Sequence, residues 1–197
     1  MIAGLGLYTQ VAIAGAIFYL IHDIVIKTNL FMISGLIYRI KGTNSIRSMG
    51  GLYSDNPKIS FLIAIALFSL VGIPPLSGFW PKISLLSASF SAENWWIVGA
   101  ILFASFITLI IISKVWANVF WKDKVELPKR LNFRYFHKLT TVKRSQMIGP
   151  IVFLTLVSLY IGFGAEQIQQ VSSRVADELM NNQQYIDAVL NNNQTYN

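Results

Sequence analysis

Long apolar runs divide this chain, and they constrain its fold more than any other feature of the sequence. Apolar side chains dominate residues 8–38, 59–90, 97–121 and 147–163, and polar connectors separate these stretches. A helix needs about 20 apolar residues to cross a hydrocarbon core of about 30 Å. The chain is 54% hydrophobic and 13% charged, with a mean hydropathy of +0.53. We therefore predict an all-α, polytopic transmembrane helix bundle over residues 1–164 rather than a soluble domain.

The second apolar stretch is interrupted by glycines and prolines over residues 72–78. Pro74 and Pro75 lack backbone donors and cannot continue the interior of a helix. Gly72 and Gly78 loosen the backbone on either side of them. In lipid, freed backbone groups are tolerated only where protein or a water-filled cavity satisfies them. The sequence therefore predicts one discontinuous helix across the membrane.

Lys82 follows this break by about one turn and has no acidic residue near it in sequence. An ionisable side chain inside a membrane is a candidate functional residue, commonly for the movement of ions or protons. The alternative is a kinked helix whose lysine extends to the membrane interface. The first interpretation is favoured if residues 59–90 cross the membrane once, because Lys82 then lies within the bilayer.

The distribution of charge indicates how often the broken segment crosses. Of the sixteen lysines and arginines, four lie in residues 39–58 and eight in residues 122–144. Cytoplasmic loops carry the excess of such residues. A single crossing of residues 59–90 places both connectors on one side, whereas two crossings separate them. We therefore expect a multi-pass protein of the cell membrane with four crossings, both connectors in the cytoplasm and the C-terminal tail outside.

The tail, residues 165–197, is polar and mildly acidic. Val171, Val175 and Leu179 recur in it at roughly helical spacing. We predict that part of the tail forms an amphipathic helix on the face of the membrane.

Three ionisable residues, His22, Asp23 and Lys27, lie in the middle of the first apolar stretch. A charged group at mid-bilayer costs about 2.5–3.5 kcal/mol on insertion scales, so their presence needs a reason. Asp23 and Lys27 have the spacing of a helical ion pair, whereas His22 and Lys27 are roughly 140° apart around a helix. One interpretation is a proton relay, since histidine exchanges protons near neutral pH. The other is a permanent structural pair, which leaves His22 unexplained.

Motifs of other functional classes are absent from the sequence. It contains no Walker motif, dinucleotide fingerprint, metal-ligand cluster or catalytic triad, and it has no cysteine. We therefore predict no cofactor, no metal site and no catalytic residues. The net charge of +7 does not indicate nucleic acid, because the basic residues lie in connectors between apolar spans.

Three motifs carry a resemblance to a known family. They are His22-x4-Lys27-Thr-Asn-Leu-Phe31, Ser48-Met-Gly-Gly-Leu52 and Gly72-Ile-Pro-Pro-Leu-Ser-Gly-Phe-Trp-Pro-Lys82. Together they resemble the antiporter-like membrane subunits shared by Mrp-type multisubunit cation/proton antiporters and by respiratory complex I. The last seven residues of the third motif, and the tail ending Tyr185-Ile-Asp-Ala-Val189, are most similar to the D subunits of the Mrp type.

The resemblance implies a proton path through the second half of an inverted-repeat fold. Lys82 corresponds to the key lysine at the broken helix of the second repeat, and His22 and Lys27 to members of a central polar axis. Asp23 stands where many relatives have a second histidine. The implied partners are the other subunits of a hetero-oligomeric membrane antiporter complex, the lipid bilayer, protons and Na⁺.

Full members of this family are more than twice as long, so the chain corresponds to their C-terminal part. Such a chain is a fragment, a split gene product or a remnant. The essential glutamate–lysine pair of the first repeat has no counterpart here. We expect a transporter subunit rather than an enzyme: the C-terminal part of a proton-translocating subunit of a Na⁺/H⁺ antiporter. The alternatives are a proton-pumping membrane subunit of a complex I-like NADH:quinone oxidoreductase and a non-transporting scaffold.

Overall fold

The computed structural model describes residues 1–43, 45–46, 50–123 and 139–181, and these residues contain helices and no strand. In chain order the helices are α1 (Ile2–Leu7), α2 (Gln10–Lys41), α3 (Leu52–Asp55), α4 (Pro57–Val71), α5 (Phe79–Ser91), α6 (Trp95–Trp116), a π-helix (Ala117–Trp121), α7 (Thr141–Phe163) and α8 (Ala165–Met180). The predicted all-α bundle with one discontinuous helix is confirmed.

Helix α2 is the centre of the bundle, since it packs against α1, α4, α5, α7 and α8. It begins after Thr9, whose side chain accepts a hydrogen bond from the Ala12 backbone N–H at 3.3 Å. It ends before Gly42, which is left-handed with φ 71°. Arg39 and Lys41 lie in its last turn, where positive charge is favourable. Helix α2 is therefore displaced toward the C-terminus relative to the predicted segment, 8–38.

The discontinuous helix consists of α4 and α5, each too short to cross a membrane alone. Pro57 begins α4 at a position where a missing N–H costs nothing. Gly72 ends α4 in a left-handed conformation with φ 85°, and its N–H contacts the carbonyl oxygens of Phe68 and Ser69. Residues 72–78 then form turns before α5 begins. The half-helices thus end and begin at backbone that glycine and proline make non-helical.

Three helical segments of the described residues are long and apolar enough to cross a membrane: Gln10–Lys41, Trp95–Trp121 and Thr141–Phe163. Helix α7 begins before the predicted stretch, 147–163, because polar residues at its N-terminus are helical as well. The remaining predicted crossing, the second in chain order, is the discontinuous α4–α5 pair. The count of four crossings stays a prediction.

Helix α8 buries small residues rather than its valines. Ala165, Ser172 and Ala176 face inward, and Ala176 packs against α2, whereas Val171 and Leu179 are exposed. A helix is thus present over Ala165–Met180, but the predicted stripe of Val171, Val175 and Leu179 is not its buried face. Its place on a membrane surface stays a prediction, and residues 182–197 of the tail lie outside the described part of the chain.

Candidate functional site at the helix break

A buried histidine and three buried serines form one hydrogen-bonded group at the break. The Nδ1 atom of His22 lies 2.8 Å from the Oγ atom of Ser77. Ser77 Oγ is also 2.7 Å from Ser69 Oγ and 2.9 Å from Ser158 Oγ, and the last two atoms are 3.1 Å apart. We call these four residues the His–Ser cluster. Each is at most 2% exposed.

The cluster joins three helices and the break. His22 comes from α2, Ser69 from α4 and Ser158 from α7, while Ser77 lies in the segment between α4 and α5. Hydroxyl groups and the imidazole ring each donate and accept hydrogen bonds. A proton can therefore pass along such a group by exchange of donor and acceptor roles.

Lys82 spans the break from the other half-helix. Its Nζ atom donates to the carbonyl oxygen of Val71 at 2.6 Å and to that of Leu70 at 3.4 Å. The last carbonyls of a helix lack partners within the helix and carry partial negative charge. The ammonium group of α5 therefore satisfies the C-terminal end of α4.

The two glycines of the break lie between Lys82 and His22. A Cβ atom on Gly72 would lie 3.1 Å from Lys82 Nζ and 2.9 Å from the carbonyl oxygen of Gly78. A Cβ atom on Gly78 would lie 3.0 Å from His22 Nε2 and would overlap the carbonyl oxygen of Ser69. Lys82 therefore lies beside Gly72 and His22 beside Gly78, at a close backbone contact that a larger residue at either position would disrupt.

Pro74 and Pro75 are exposed. The backbone of the break nevertheless packs against the end of α7. A Cβ atom on Gly162 would lie 2.6 Å from the carbonyl oxygen of Pro75 and 2.9 Å from the Ser77 nitrogen. Trp80 Nε1 also donates to the carbonyl oxygen of Gly162 at 2.8 Å. Helix α7 thus holds the irregular segment in place.

Asp23 and Lys27 form an ion pair of 2.7 Å on α2, away from the cluster. The Lys27 side chain is 60% exposed and the Asp23 side chain 22% exposed. The structure does not bring Lys27 together with His22 or Lys82 through any contact among the described residues. Of the four predicted proton-transfer residues, His22 and Lys82 thus both lie at the break, where each contacts different groups, whereas Asp23 and Lys27 form a second, more exposed site.

Sequence reasoning missed the three serines and a second buried polar pair. Asn29 Nδ2 donates to Thr155 Oγ1 at 2.9 Å, again between α2 and α7. The Oδ1 atom of Asn29 is buried without a hydrogen-bond partner. Ser77 lies within the break motif, but Ser69 and Ser158 are single hydroxyls in apolar runs. The sequence does not show that they face one another.

Comparison with known proteins agrees with this architecture. A profile of the family described as NADH:quinone oxidoreductase/Mrp antiporter, TM, matches residues 1–108, more than half of the chain. The chain belongs to this family. The matched part of this NADH:quinone oxidoreductase/Mrp antiporter family member includes α2 and the whole discontinuous helix.

Relatives of known sequence are similar along almost the whole chain. Over 190 residues it is 39% identical to the D subunit of the Na⁺/H⁺ antiporter of Alkalihalophilus pseudofirmus, a match that covers 96% of this chain and 37% of the relative. It is 36% identical over 187 residues to the D subunit of the Na⁺/H⁺ antiporter of Bacillus subtilis, with 95% and 36% covered. This family member therefore spans little more than a third of the length of these relatives.

Two solved structures share the fold. A chain of the Mrp complex of Dietzia sp. superposes with a TM-score of 0.81 at 24% identity, covering 95% of this chain and 41% of that chain. A chain of respiratory complex I of Thermus thermophilus superposes with a TM-score of 0.68 at 20% identity, covering 89% and 36%. The arrangement of helices in this family member thus occurs in both kinds of complex.

Proposed function

We propose that this chain forms part of a proton-translocating membrane subunit of a multisubunit Na⁺/H⁺ antiporter. The other subunits of that complex, lipid, protons and Na⁺ are its partners. Similarity to the D subunits of two antiporters along 95–96% of the chain supports this assignment. The observation that carries it is the His–Ser cluster, a buried, hydrogen-bonded polar group at a helix break.

In this proposal Lys82 accepts and releases a proton at the break. The protonated amine is held by the carbonyl oxygens at the end of α4. Loss of its proton weakens that interaction and leaves the partial negative charge of the helix end unbalanced. His22 passes protons along the serines of the cluster, to which it is joined by its hydrogen bond with Ser77. Lys27 hands protons on at the second site, where its ion pair with Asp23 sets its charge state.

The decisive experiment compares Lys82→Ala with Lys114→Ala in the assembled complex. Lys114 is exposed on α6 and has no contact with the His–Ser cluster. The measurement is Na⁺-driven proton movement in membrane vesicles. Lys82→Ala is expected to lower the rate by about 100-fold or more, the contribution typical of a positioned proton-transfer group. Lys114→Ala is expected to transport as the unaltered chain does. If Lys82→Ala also transports as the unaltered chain does, Lys82 has no part in the mechanism and a non-transporting scaffold is favoured.

The fold also fits a second candidate, a proton-pumping membrane subunit of a complex I-like NADH:quinone oxidoreductase. The superposition on a respiratory complex I chain with a TM-score of 0.68 favours it. Co-purification separates the two candidates, because only the second predicts that tagged chain brings flavin- or iron–sulfur-containing subunits with it.

The orientation of this multi-pass chain is also part of the proposal, with connectors 39–58 and 122–144 in the cytoplasm and the tail outside. Because the sequence has no cysteine, a thiol introduced at Ser54 or at Ser173 is the chain's only one. An impermeant thiol reagent applied from one side should label one of these positions and not the other. Labelling of both positions from the same side contradicts the proposed topology.

A further inference from the structure

A cleft of about 460 Å³ lies beside the break, between α2, α5 and the junction of α7 with α8. It is lined by Phe18, Trp80, Ser84, Phe163, Glu166 and Gln169. None of the proton-transfer roles proposed above uses this cleft. Its lining combines aromatic rings with a carboxylate, a hydroxyl and an amide.

The aromatic part of the lining lies next to the His–Ser cluster. Phe18 is fully buried and lies one helical turn before His22, on the same face of α2. Trp80 follows Ser77 by three residues at the start of α5, and its indole ring is held by the hydrogen bond to Gly162. Two aromatic residues of the lining thus lie within one helical turn of the two cluster members that contact each other, His22 and Ser77.

The polar part of the lining comes from α5 and the first turns of α8. Ser84 Oγ donates to Gln169 Oε1 at 3.1 Å, which joins the two helices. Glu166 is exposed in the first turn of α8. Polar groups of this kind hold water in a cleft of this size, whereas a purely apolar cavity stays dry.

We propose that this cleft is the aqueous vestibule of the His–Ser cluster, with Glu166 as its proton-collecting carboxylate. The proposal rests on the proton transport proposed above and names the entrance to its buried site. A buffer acid gives a proton to the Glu166 carboxylate, and the resulting carboxyl group returns to a carboxylate when it passes that proton to vestibule water. Phe18 separates this water from His22 until its ring moves aside, while Trp80 stays held by its hydrogen bond to Gly162.

Thiol labelling in the assembled complex tests the position of the vestibule. Ser84→Cys is expected to react with a charged, impermeant thiol reagent, and Ser77→Cys to stay protected. Adding Phe18→Ala, or the smaller change Phe18→Leu, should raise the labelling rate of Ser77→Cys severalfold. Phe153→Ala, an exposed phenylalanine on α7, is the matched control and should leave that rate unchanged. An unreactive Ser84→Cys overturns the proposal. So does a labelling rate of Ser77→Cys that is the same with Phe18→Ala as with Phe153→Ala.

Proton movement by Glu166→Gln tests the carboxylate. A charged group at the mouth of a cleft raises the local concentration of its partner ion and the rate of its capture by about tenfold or more. In weakly buffered medium Glu166→Gln is therefore expected to transport about tenfold more slowly. Strong mobile buffer should restore most of the rate, because buffer molecules then deliver protons directly. A merely structural loss is not restored by buffer.

The matched control is Glu178→Gln, an exposed glutamate on the same helix that does not line the cleft. It is expected to behave as the unaltered chain in both media. If Lys82→Ala abolishes transport while Glu166→Gln matches Glu178→Gln in weak buffer, the vestibule is wrong and the proposed function stands. If Lys82→Ala transports normally, the proposed function itself fails.

Discussion

Lys82 on α5 donates a 2.6 Å hydrogen bond to the carbonyl oxygen of Val71, the last residue of α4. One side chain therefore closes the gap between two half-helices whose backbone hydrogen bonds do not connect. The interaction combines a positive charge with the negative end of a helix. Lys82 thus has a structural role at the break in addition to the proton transfer proposed for it, and the two roles can be separated.

Arginine at this position keeps the charge but does not release a proton in proteins. Lys82→Arg is therefore expected to keep the thermal stability of the assembled complex close to its normal value. Its Na⁺-driven proton movement is expected to fall about 100-fold or more, as in Lys82→Ala. Transport by Lys82→Arg at the normal rate would show that the residue only holds the break together.

The close backbone contact at Gly78 predicts a local stability effect. Gly78→Ala places a Cβ atom against the carbonyl oxygen of Ser69 and the ring of His22. Overpacking of this kind typically costs about 1–3 kcal/mol. We expect a loss of that size in the free energy of unfolding, measured by denaturant titration in detergent.

The control for Gly78→Ala is Gly99→Ala on α6, where an added Cβ atom meets nothing within 4 Å. Alanine favours a helix interior over glycine by about 0.5–1 kcal/mol, so this variant should be neutral or slightly more stable. Equal destabilisation by both variants would contradict the packing described for the break.

Ser77 and Ser158 allow the link to His22 to be tested within the cluster itself. Ser77 contacts the histidine, whereas Ser158 contacts only the other serines. Removing the partner of a buried polar group costs about 1–3 kcal/mol. Ser77→Ala should therefore slow proton movement more than Ser158→Ala does. A double-mutant cycle with His22→Ala should show coupling for Ser77 and little for Ser158. The reverse order would exclude Ser77 as the link.

The ion pair of α2 predicts an effect on assembly. Asp23→Asn leaves Lys27 unpaired in the middle of an apolar span, where a charge costs about 2.5–3.5 kcal/mol. The yield of assembled complex, measured by size-exclusion chromatography, is expected to fall. Adding Lys27→Met removes the unpaired charge and should restore the yield. Normal assembly of Asp23→Asn alone would show that water or another polar group already surrounds Lys27.

The membrane fold could be predicted from the sequence because its signals are local. Apolar length indicates helices that cross a bilayer, and Gly72, Pro74, Pro75 and Gly78 indicate where one of them breaks. The boundaries differed where capping acts, as at Thr9 and Gly42 of α2. Polar residues in the first turns of α7 are helical too, but they lie outside the apolar stretch from which the span was predicted.

The candidate site was predicted only in part, for the same reason. A histidine or lysine in an apolar run stands out by its charge, so His22 and Lys82 could be named in advance. A serine does not stand out, because a single hydroxyl is common in membrane helices. Only the packing of α2, α4 and α7 shows that Ser69 and Ser158 meet Ser77.

The sequence by itself determined that this protein is a bundle of membrane helices with one break and a few ionisable side chains in apolar surroundings. Those properties depend on composition and on neighbours along the chain. The tertiary structure alone decided that His22 joins three serines in one buried cluster, and which carbonyl oxygens Lys82 satisfies. Such relationships depend on distances between residues far apart in sequence, and these exist only once the helices have packed.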